Sequence, residues 1–451
     1  MLARAALVVL VMLAACGDSG TDSNEPPFVP EDASEALFVQ AGASGDGDWR
    51  TPLGSVQAAL DQAELDSTIK LVYVAVGEYH ESVVVSSAIK LIGGRDPQNE
   101  WLPTDVDSTV IRGRRIEGQP VTVMVRGVPD LVVLQNLSIY APDAKGPGES
   151  PVAVFCLGSA QVELKSNHIV GGVPGDGGDG APGTAGEDGF GLGDTQGYLG
   201  APGGAGGAGG TAAQEPEWGA SGLCSDGSAT GGNGGAPGED PLAGQPGPGG
   251  DDGAAGIGGR TELSIDSSGT VPRIHVLAGG DGGDGADGCG GGGGGGHAMC
   301  SPDVPGGAGG HGGSGGQGGA GGGGGQAGGC SIGVMVYRSL VRLQDCLIEV
   351  QPGGDGGDGA TGAIGGLGGD GFVGESIAGC SGGNGGRGGD RGQGGHGGGG
   401  AGGWSVGVVV YDANELEQDN AVYRLSLGGQ PGRGPGAGGE TGFSQRTAVI
   451  R

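Results

Sequence analysis

Basic and imidazole side chains are the first candidates for chemistry in this chain. A polysaccharide lyase or hydrolase needs acids, bases or arginines gathered in one groove, usually with a pair of carboxylates. The candidates are Arg112, Arg114, Arg115, His168 and His275. They are scattered among turn residues, and no paired-carboxylate motif accompanies them. We therefore expect no enzymatic activity, and keep a carbohydrate-active enzyme as the alternative.

Aspartates recur in three glycine-rich runs, GDGGDGA at Gly175 and GGDGGDGA at Gly279 and Gly353. The pattern resembles the calcium-binding nonapeptide of repeat-in-toxin proteins. The resemblance implies ligands at Asp179, Asp284 and Asp358, and stacked loops would let the remaining aspartates converge, namely Asp176, Asp281 and Asp355. The motif is not repeated in tandem here, and alanine replaces its large apolar residue. These departures count against a calcium site, but calcium is still the one candidate cofactor. The alternative role of these aspartates is turn formation and solubility.

The charge balance excludes one class of partner. The chain has 21 Lys and Arg against 52 Asp and Glu, a formal net charge of -31. A surface of this sign repels phosphate backbones, so nucleic acid is not expected as a partner. Solubility and cation binding are the two remaining explanations of the acidity.

The N-terminus carries an export signal. Arg4 precedes an apolar stretch at residues 5–13, which is too short to span a bilayer as a helix. The sequence LAAC, ending at Cys16 and followed by glycine, resembles a bacterial lipobox. The resemblance implies removal of residues 1–15, acylation of Cys16 and anchoring in the cell envelope, at the outer membrane or cell surface. A soluble secreted protein cut after Ala15 is the alternative. Residues 16–34 are polar and Pro-containing and predict a disordered tether.

Residues 35–170 predict an N-terminal cap and the first turns of a solenoid. A helical pattern near residues 55–65 has Val56, Ala59, Leu60 and Ala63 on one face, and β-branched runs follow it. The chain resembles the opening of the pectin-lyase-like class over about 60 residues. The matching positions are 38–39, 45–47, 51–52, 57–59, 74–79, 81–85 and 91–94. The resemblance implies a right-handed parallel β-helix whose end the helix would cap. A surface helix on another fold is the alternative.

Residues 171–451 predict further β-helix rungs interrupted by glycine-rich insertions at about 171–260, 279–330, 353–403 and 428–442. Each unit has a short strand, one polar residue and a second strand. We expect a stacked turn ladder of Asn136, Asn167 and Asn420, with Cys346 at the same place in another unit. Chance spacing of a common turn residue is the alternative. The stretch at residues 261–280 predicts one more rung.

The glycine tracts follow a period of three. The chain has 119 glycines in 451 residues, and ordering so many requires a compensating interaction. Three structures are consistent with the period: a flexible linker, a collagen triple helix, and side-by-side packing of extended threefold helices in the manner of polyglycine II. The tracts are short, interrupted and poor in proline, which counts against collagen.

Seven cysteines follow Cys16, and export permits disulfides. Seven is an odd number, so at least one thiol is left over or pairs between chains. We predict that Cys289 pairs with Cys300, which flank one loop, and consider a pairing of Cys330 with Cys380 as a further option. Together these features predict a non-enzymatic envelope lipoprotein with a structural, adhesive or glycan-binding role, whose partners are the membrane and a glycan or surface protein.

Overall fold

The computed structural model describes residues 33–104, 108–159, 161–191, 201–225, 231–266, 273–412 and 415–450. Cys16 and the predicted signal peptide lie outside them. The strands form three long sheets. The first contains β1 (Ala36–Val39), β2 (Leu71–Ala75), β5 (Lys90–Asp96), β9 (Leu131–Gln135), β12 (Gln161–Lys165), β17 (Leu340–Gln344) and β22 (Glu415–Asp419), with β6 (Leu102–Pro103) antiparallel to β5. The second contains β3 (Gly77–Tyr79), β7 (Thr109–Arg112), β10 (Ser138–Tyr140), β13 (His168–Val170), β18 (Leu347–Glu349) and β23 (Val422–Arg424). The third contains β4 (Val83–Val85), β8 (Val121–Arg126), β11 (Val152–Leu157), β16 (Ser331–Tyr337), β21 (Ser405–Tyr411) and β24 (Ser444–Ile450).

The chain visits the three sheets in turn, one rung after another. β9, β10 and β11 make one rung, and β12, β13 and β16 make the next. Strands of successive rungs pair in parallel in all three sheets. This coiling is that of a parallel β-helix, so the predicted fold class is confirmed.

Aliphatic columns fill the interior of the β-helix. The first sheet contributes Leu134, Leu164 and Leu343, which are paired in register and fully buried. Isoleucines of the second sheet and valines of the third complete the core. Because this interior is narrow, a chain with only 35% hydrophobic residues can fill it.

The N-terminal end is closed by α1 (Val56–Leu65), as the sequence predicts. Its four buried residues are the predicted face of Val56, Ala59, Leu60 and Ala63. The Ser55 side chain accepts a hydrogen bond from the Ala58 amide, and Glu81 accepts from the amides of the first helical turn at 2.8 and 3.2 Å. A carboxylate at this end compensates unpaired N–H groups and the helix dipole. Glu81 therefore has a structural task within the motif that resembles the pectin-lyase-like class.

The C-terminal end is closed by side chains of the last rung. Gln418, Tyr423 and Thr447 continue the aliphatic columns of the first, second and third sheets. The Tyr423 hydroxyl donates to Gln418 Oε1 at 2.8 Å, and Gln418 Nε2 donates to Thr447 at 3.4 Å. Burial raises the pKa of Tyr423 to about 12. Polar groups that satisfy one another thus finish the apolar core.

The predicted asparagine ladder is wrong by one residue in its second member. Asn136 and Asn420 share the first turn position with Ser166 and Asp345, where the backbone φ lies between 50° and 54°. Asn167 stands one residue later, where it is buried, donates to the Leu134 carbonyl at 2.8 Å and accepts from the Leu137 amide at 3.0 Å. Asparagine tolerates positive φ and also bonds backbone groups, so it suits both positions for different reasons.

The glycine tracts form one packed bundle of extended segments. Of the three structures consistent with their period, this is the side-by-side packing in the manner of polyglycine II. Backbone hydrogen bonds between segments recur every third residue, for example from Gly177, Gly180 and Gly183 to the carbonyls of Asp355, Asp358 and Thr361. The segments of the bundle cover residues 173–191, 201–210, 216–223, 231–238, 242–260, 277–298, 305–330, 351–375, 381–404, 427–434 and 436–443. These hydrogen bonds offset the entropy lost by ordering glycine.

The central segment, residues 277–298, explains the run of seven consecutive glycines. Between residues 289 and 297 its backbone bonds to six neighbouring segments. A Cβ on Gly290, Gly293 or Gly296 would overlap residues 202–208, and one on Gly291 or Gly294 would overlap residues 383–386. A Cβ on the intervening glycines would overlap residues 233–236. A segment surrounded on every side has no position for a side chain, whereas border segments need glycine only at every third residue.

The positions of proline in the bundle agree with this packing. The enclosed segments at 277–298, 305–330 and 381–404 have no proline after Pro305, whereas border segments contain Pro182, Pro202, Pro246 and Pro248. Proline lacks an N–H group and therefore fits where no neighbouring segment accepts one.

The stretch at residues 261–280 is not a rung, contrary to the prediction. β14 (Leu263–Asp266) and β15 (Arg273–Val276) pair antiparallel as a hairpin. Residues 171–330 are therefore one excursion between β13 and β16. Val276 and Ala401 pack with Phe155 and Met335 on the outer side of the third sheet, in a second hydrophobic cluster. The bundle is thereby attached to the β-helix.

The predicted disulfide pairing is wrong. Cys289 pairs with Cys224, and Cys300 pairs with Cys380. Cys289 lies within the bundle and Cys300 lies in the turn that leaves its far end, so the fold brings each cysteine against a different neighbour. A further short hairpin, β19 (Ser376–Ile377) with β20 (Cys380–Ser381), carries the second disulfide.

Cys156, Cys330 and Cys346 are buried free thiols and should resist alkylation. Burial raises the pKa of Cys156 to about 12 and that of Cys330 to about 11. At pH 8 the thiolate is scarce and enclosed, and the thiolate is the reactive form. Peptide mass spectrometry after iodoacetamide treatment should find all three unmodified in native protein and modified in denaturant. Rapid labelling of Cys330 in native protein would contradict its packing in the second hydrophobic cluster, between the third sheet and the bundle.

Candidate functional site

A line of polar and aromatic contacts, which we call the second-sheet ladder, follows the outer side of the second sheet. Each of the six strands contributes one residue to it, and these are Glu78, Arg112, Tyr140, His168, Glu349 and Arg424. The Arg112 guanidinium bonds Glu78 and lies 4.4 Å from the centroid of the Tyr140 ring. The Tyr140 and His168 rings are 6.0 Å apart. His168 Nε2 lies 3.3 Å from Glu349 Oε2, and Arg424 bonds the same carboxylate.

Both arginines of the ladder are neutralised by ladder carboxylates. Partial burial raises the pKa of Glu349, but hydrogen bonds from Arg424 and His168 and their charges outweigh it, so the pKa lies below its usual value. An imidazole next to a carboxylate can move a proton, and Tyr140 with Arg112 offers a face for an aromatic or sugar ring. The same contacts also tie six rungs together.

Two of the five predicted enzymatic candidates meet in this ladder. Arg112 and His168 are joined through Tyr140. Arg114 lies on the following corner, where its amide donates to Ser82, and Arg115 pairs with Glu149. His275 belongs to β15, on the hairpin.

Sequence reasoning missed the other four ladder residues. Glu78, Tyr140, Glu349 and Arg424 each lie in the short strand that follows a turn, on the outward-facing positions of the second sheet. The available signal was the position of each residue within that strand. Aligning the units on their inward isoleucines at 139, 169 and 348 would have placed these side chains on one face.

Replacing Glu349 with glutamine should reduce stability at neutral pH. The folded-state pKa of Glu349 is lowered, so its contribution is complete above the unfolded value of about 4.3 and is lost as pH falls through the folded value. We expect a loss of about 1 kcal/mol at pH 7 and a smaller difference from wild type at about pH 3, measured by urea unfolding. Glu417→Gln, which removes a more exposed ion pair on the first sheet, is the matched control. A difference that is the same at both pH values would contradict the assignment.

The predicted calcium ligands accept hydrogen bonds from neighbouring segments. Asp176 Oδ1 accepts from the Asp355 amide and Asp179 Oδ1 from the Asp358 amide, both at 2.8 Å. Asp355 and Asp358 accept in turn from residues 430 and 433. In the part of the chain that the structure describes, no three acidic, histidine or cysteine side chains are grouped to hold a metal ion. Calcium binding stays a prediction.

Asp281 and Asp284 lie beside segment 305–330 at a place where none of the described segments accepts the amides of its residues 318, 321 and 324 through backbone carbonyls. Residues 201–210 accept amides from segment 305–330 as far as Gly315, which donates to Ala201. Beyond that point the amides of Gly318, Gly321 and Gly324 donate instead to the carboxylates of Asp287, Asp284 and Asp281, at 2.7 to 2.8 Å. Here an aspartate carboxylate takes the place that a backbone carbonyl of a neighbouring segment has elsewhere in the bundle.

Comparisons with known proteins give no family. No family model and no curated protein matches the chain. The solved structures that it resembles include YbhC of Escherichia coli, at 18% identity and a TM-score of 0.22, over 34% of this chain and 46% of that one. They also include the pectin methylesterase PemA of Erwinia chrysanthemi, at 16% identity and a TM-score of 0.23, over 32% and 46%. A catalytic domain of a GH87 α-1,3-glucanase is 13% identical with a TM-score of 0.18, over 94% and 67%.

The chain spans less than half of the length of the first two structures. At TM-scores this low the likenesses carry no argument about substrate or activity. The parallel β-helix is established here by the register of its own three sheets.

Proposed function

We propose that the chain is a non-enzymatic protein of the cell envelope, anchored by a lipid on Cys16, that presents a stiff glycine bundle for adhesion. Two disulfides are typical of proteins outside the cytosol. Among the residues described, no helix combines the length and apolar character needed to cross a membrane. The lipid is therefore the proposed attachment, and replacing Cys16 with serine should move the protein to the soluble fraction.

The main support for adhesion is the end of the bundle formed by the turns at residues 211–214, 300–304 and 376–381, which we call the far end. Segments 201–210, 277–298, 305–330 and 351–375 all reach it, and their hydrogen bonds continue to its last residues. The disulfide between Cys300 and Cys380 joins two of its turns. Met299, beside Cys300, is 40% exposed, and Trp218, which follows the turn at Thr211 and Gln214, is 68% exposed. An exposed tryptophan on a rigid support is suited to stacking on a sugar ring or a partner side chain.

Trp218→Ala tests this function in a glycan array and in binding to whole cells. Loss of one stacking contact should weaken binding about fivefold to tenfold. Ile257→Ala, which removes a side chain that is 70% exposed on the flank of the bundle, is the control and should bind like wild type. Equal binding by both variants and wild type would refute adhesion through this end.

A carbohydrate-active enzyme is the second candidate, because the second-sheet ladder gathers His168, Glu349, Arg112 and Tyr140 on one face. A panel of neutral and acidic polysaccharides, assayed for reducing ends and unsaturated products, tests it. Activity that disappears in His168→Ala would favour the enzyme over adhesion.

A further inference from the structure

The outer layer of the bundle consists of segments 173–191, 351–375 and 427–434. Segment 351–375 bonds to the other two in this layer and to segments 305–330 and 381–404 below it. Its residues 355, 358, 361, 364, 367, 370 and 373 are exposed, one in every turn. The exposed residues of this layer thus recur at the same three-residue interval as the hydrogen bonds that join segments inside the bundle.

A layer of this kind has the weakness of an unprotected β-sheet edge. Unpaired N–H groups at regular intervals can donate hydrogen bonds to the carbonyls of another chain. Proteins block such edges with charges, proline or covering side chains. The interior layers of this bundle join through the same bonds, so a second copy of the chain would find a matching pattern.

Three outward amides of segment 351–375 donate to aspartates of the same chain. Asp176, Asp179 and Asp188 accept from the amides of residues 355, 358 and 367, at 2.7 to 2.8 Å. The opposite border, segment 242–260, uses proline at 246 and 248, which have no amide to offer. Proline and aspartate both leave no donor available to another chain at the positions where they stand.

We propose that Asp176, Asp179 and Asp188 terminate the glycine lattice and prevent a second copy of the chain from docking on its outer layer. Their side chains occupy the donors that a second copy would need. The neighbouring Ile364 and Leu367, which are 68% and 57% exposed, would be covered by such a copy. Removing the aspartates opens a surface that fits this same chain.

The triple variant Asp176→Gly, Asp179→Gly, Asp188→Gly tests the proposal by sedimentation equilibrium of the full chain. The triple Asn variant is the matched control, because it removes the same three charges and keeps the side-chain acceptors. Measurement in 1 M salt, where the Debye length is about 3 Å, suppresses the general repulsion between acidic chains. We expect the Gly variant to self-associate at least about tenfold more tightly than wild type, and the Asn variant to behave as wild type.

Two results would overturn the proposal. A Gly variant that associates no more tightly than wild type would show that the aspartates block nothing. Equal association of the Gly and Asn variants would show that charge, rather than hydrogen bonding, keeps copies apart. Hydrogen exchange of residues 288–297 checks that the bundle is intact, and if the triple variant loses protection, the three single Gly variants are compared with their Asn counterparts in the same way.

Discussion

Gly293→Ala should lower the free energy of unfolding by about 3 kcal/mol, near the upper end of the usual cost of overpacking. Gly293 lies in the central segment, and a Cβ there would overlap the carbonyl of Ala205, which is backbone and cannot rotate away. Alanine also restricts the unfolded chain, which stabilises by about 0.4–1 kcal/mol and does not offset the clash. Guanidinium unfolding, followed by circular dichroism, measures the loss.

Gly280→Ala is the control for this result, because it lies in the same segment at a border position. A Cβ there would stand 3.3 Å from the Ile257 side chain, which is exposed and free to move. We expect a change within about 0.5 kcal/mol of wild type. Equal and small effects of both substitutions would mean that the central segment is not enclosed on every side.

Phe155→Ala should cost about 3–5 kcal/mol, the usual range for a buried phenylalanine. Phe155 is 1% exposed on the outer side of the third sheet, in the cluster that also contains Val276 and Ala401 from the hairpin and the bundle. The cavity would lie between the β-helix and the bundle. We therefore expect the two parts to unfold in separate steps in the variant, observed by hydrogen exchange at increasing denaturant.

Val449→Ala is the matched control in the same sheet. Val449 is 63% exposed in β24, the last strand of the third sheet, and its truncation should cost less than about 0.5 kcal/mol. A loss for Phe155→Ala no larger than this would contradict the attachment of the bundle at the third sheet.

The resemblance of residues 38–94 to the pectin-lyase-like opening, together with the repeated strand units, predicted the β-helix and its cap. The face of Val56, Ala59, Leu60 and Ala63 followed from helical spacing, and the alternating strands followed from period two. The period of three in the glycine tracts was consistent with a flexible linker, a collagen triple helix and a packed bundle of extended helices, and it did not decide among them. The number of neighbours around each segment decides among them, and that number depends on tertiary packing.

The errors have a common physical cause, which is register between distant parts of the chain. Asn167 and Asn136 differ by one residue in their turns, and composition alone does not reveal the shift. Cys289 faces Cys224 across 65 residues because both segments return to the same place in the bundle. The second-sheet ladder likewise joins residues as far apart as Glu78 and Arg424, one per rung.

Hydrogen exchange of residues 288–297 in the native full chain tests the packed bundle most directly. These amides donate to carbonyls of three different neighbouring segments, and the account predicts protection comparable to that of β16 in the third sheet. Exchange of these glycines at the rate of an unstructured peptide would contradict it.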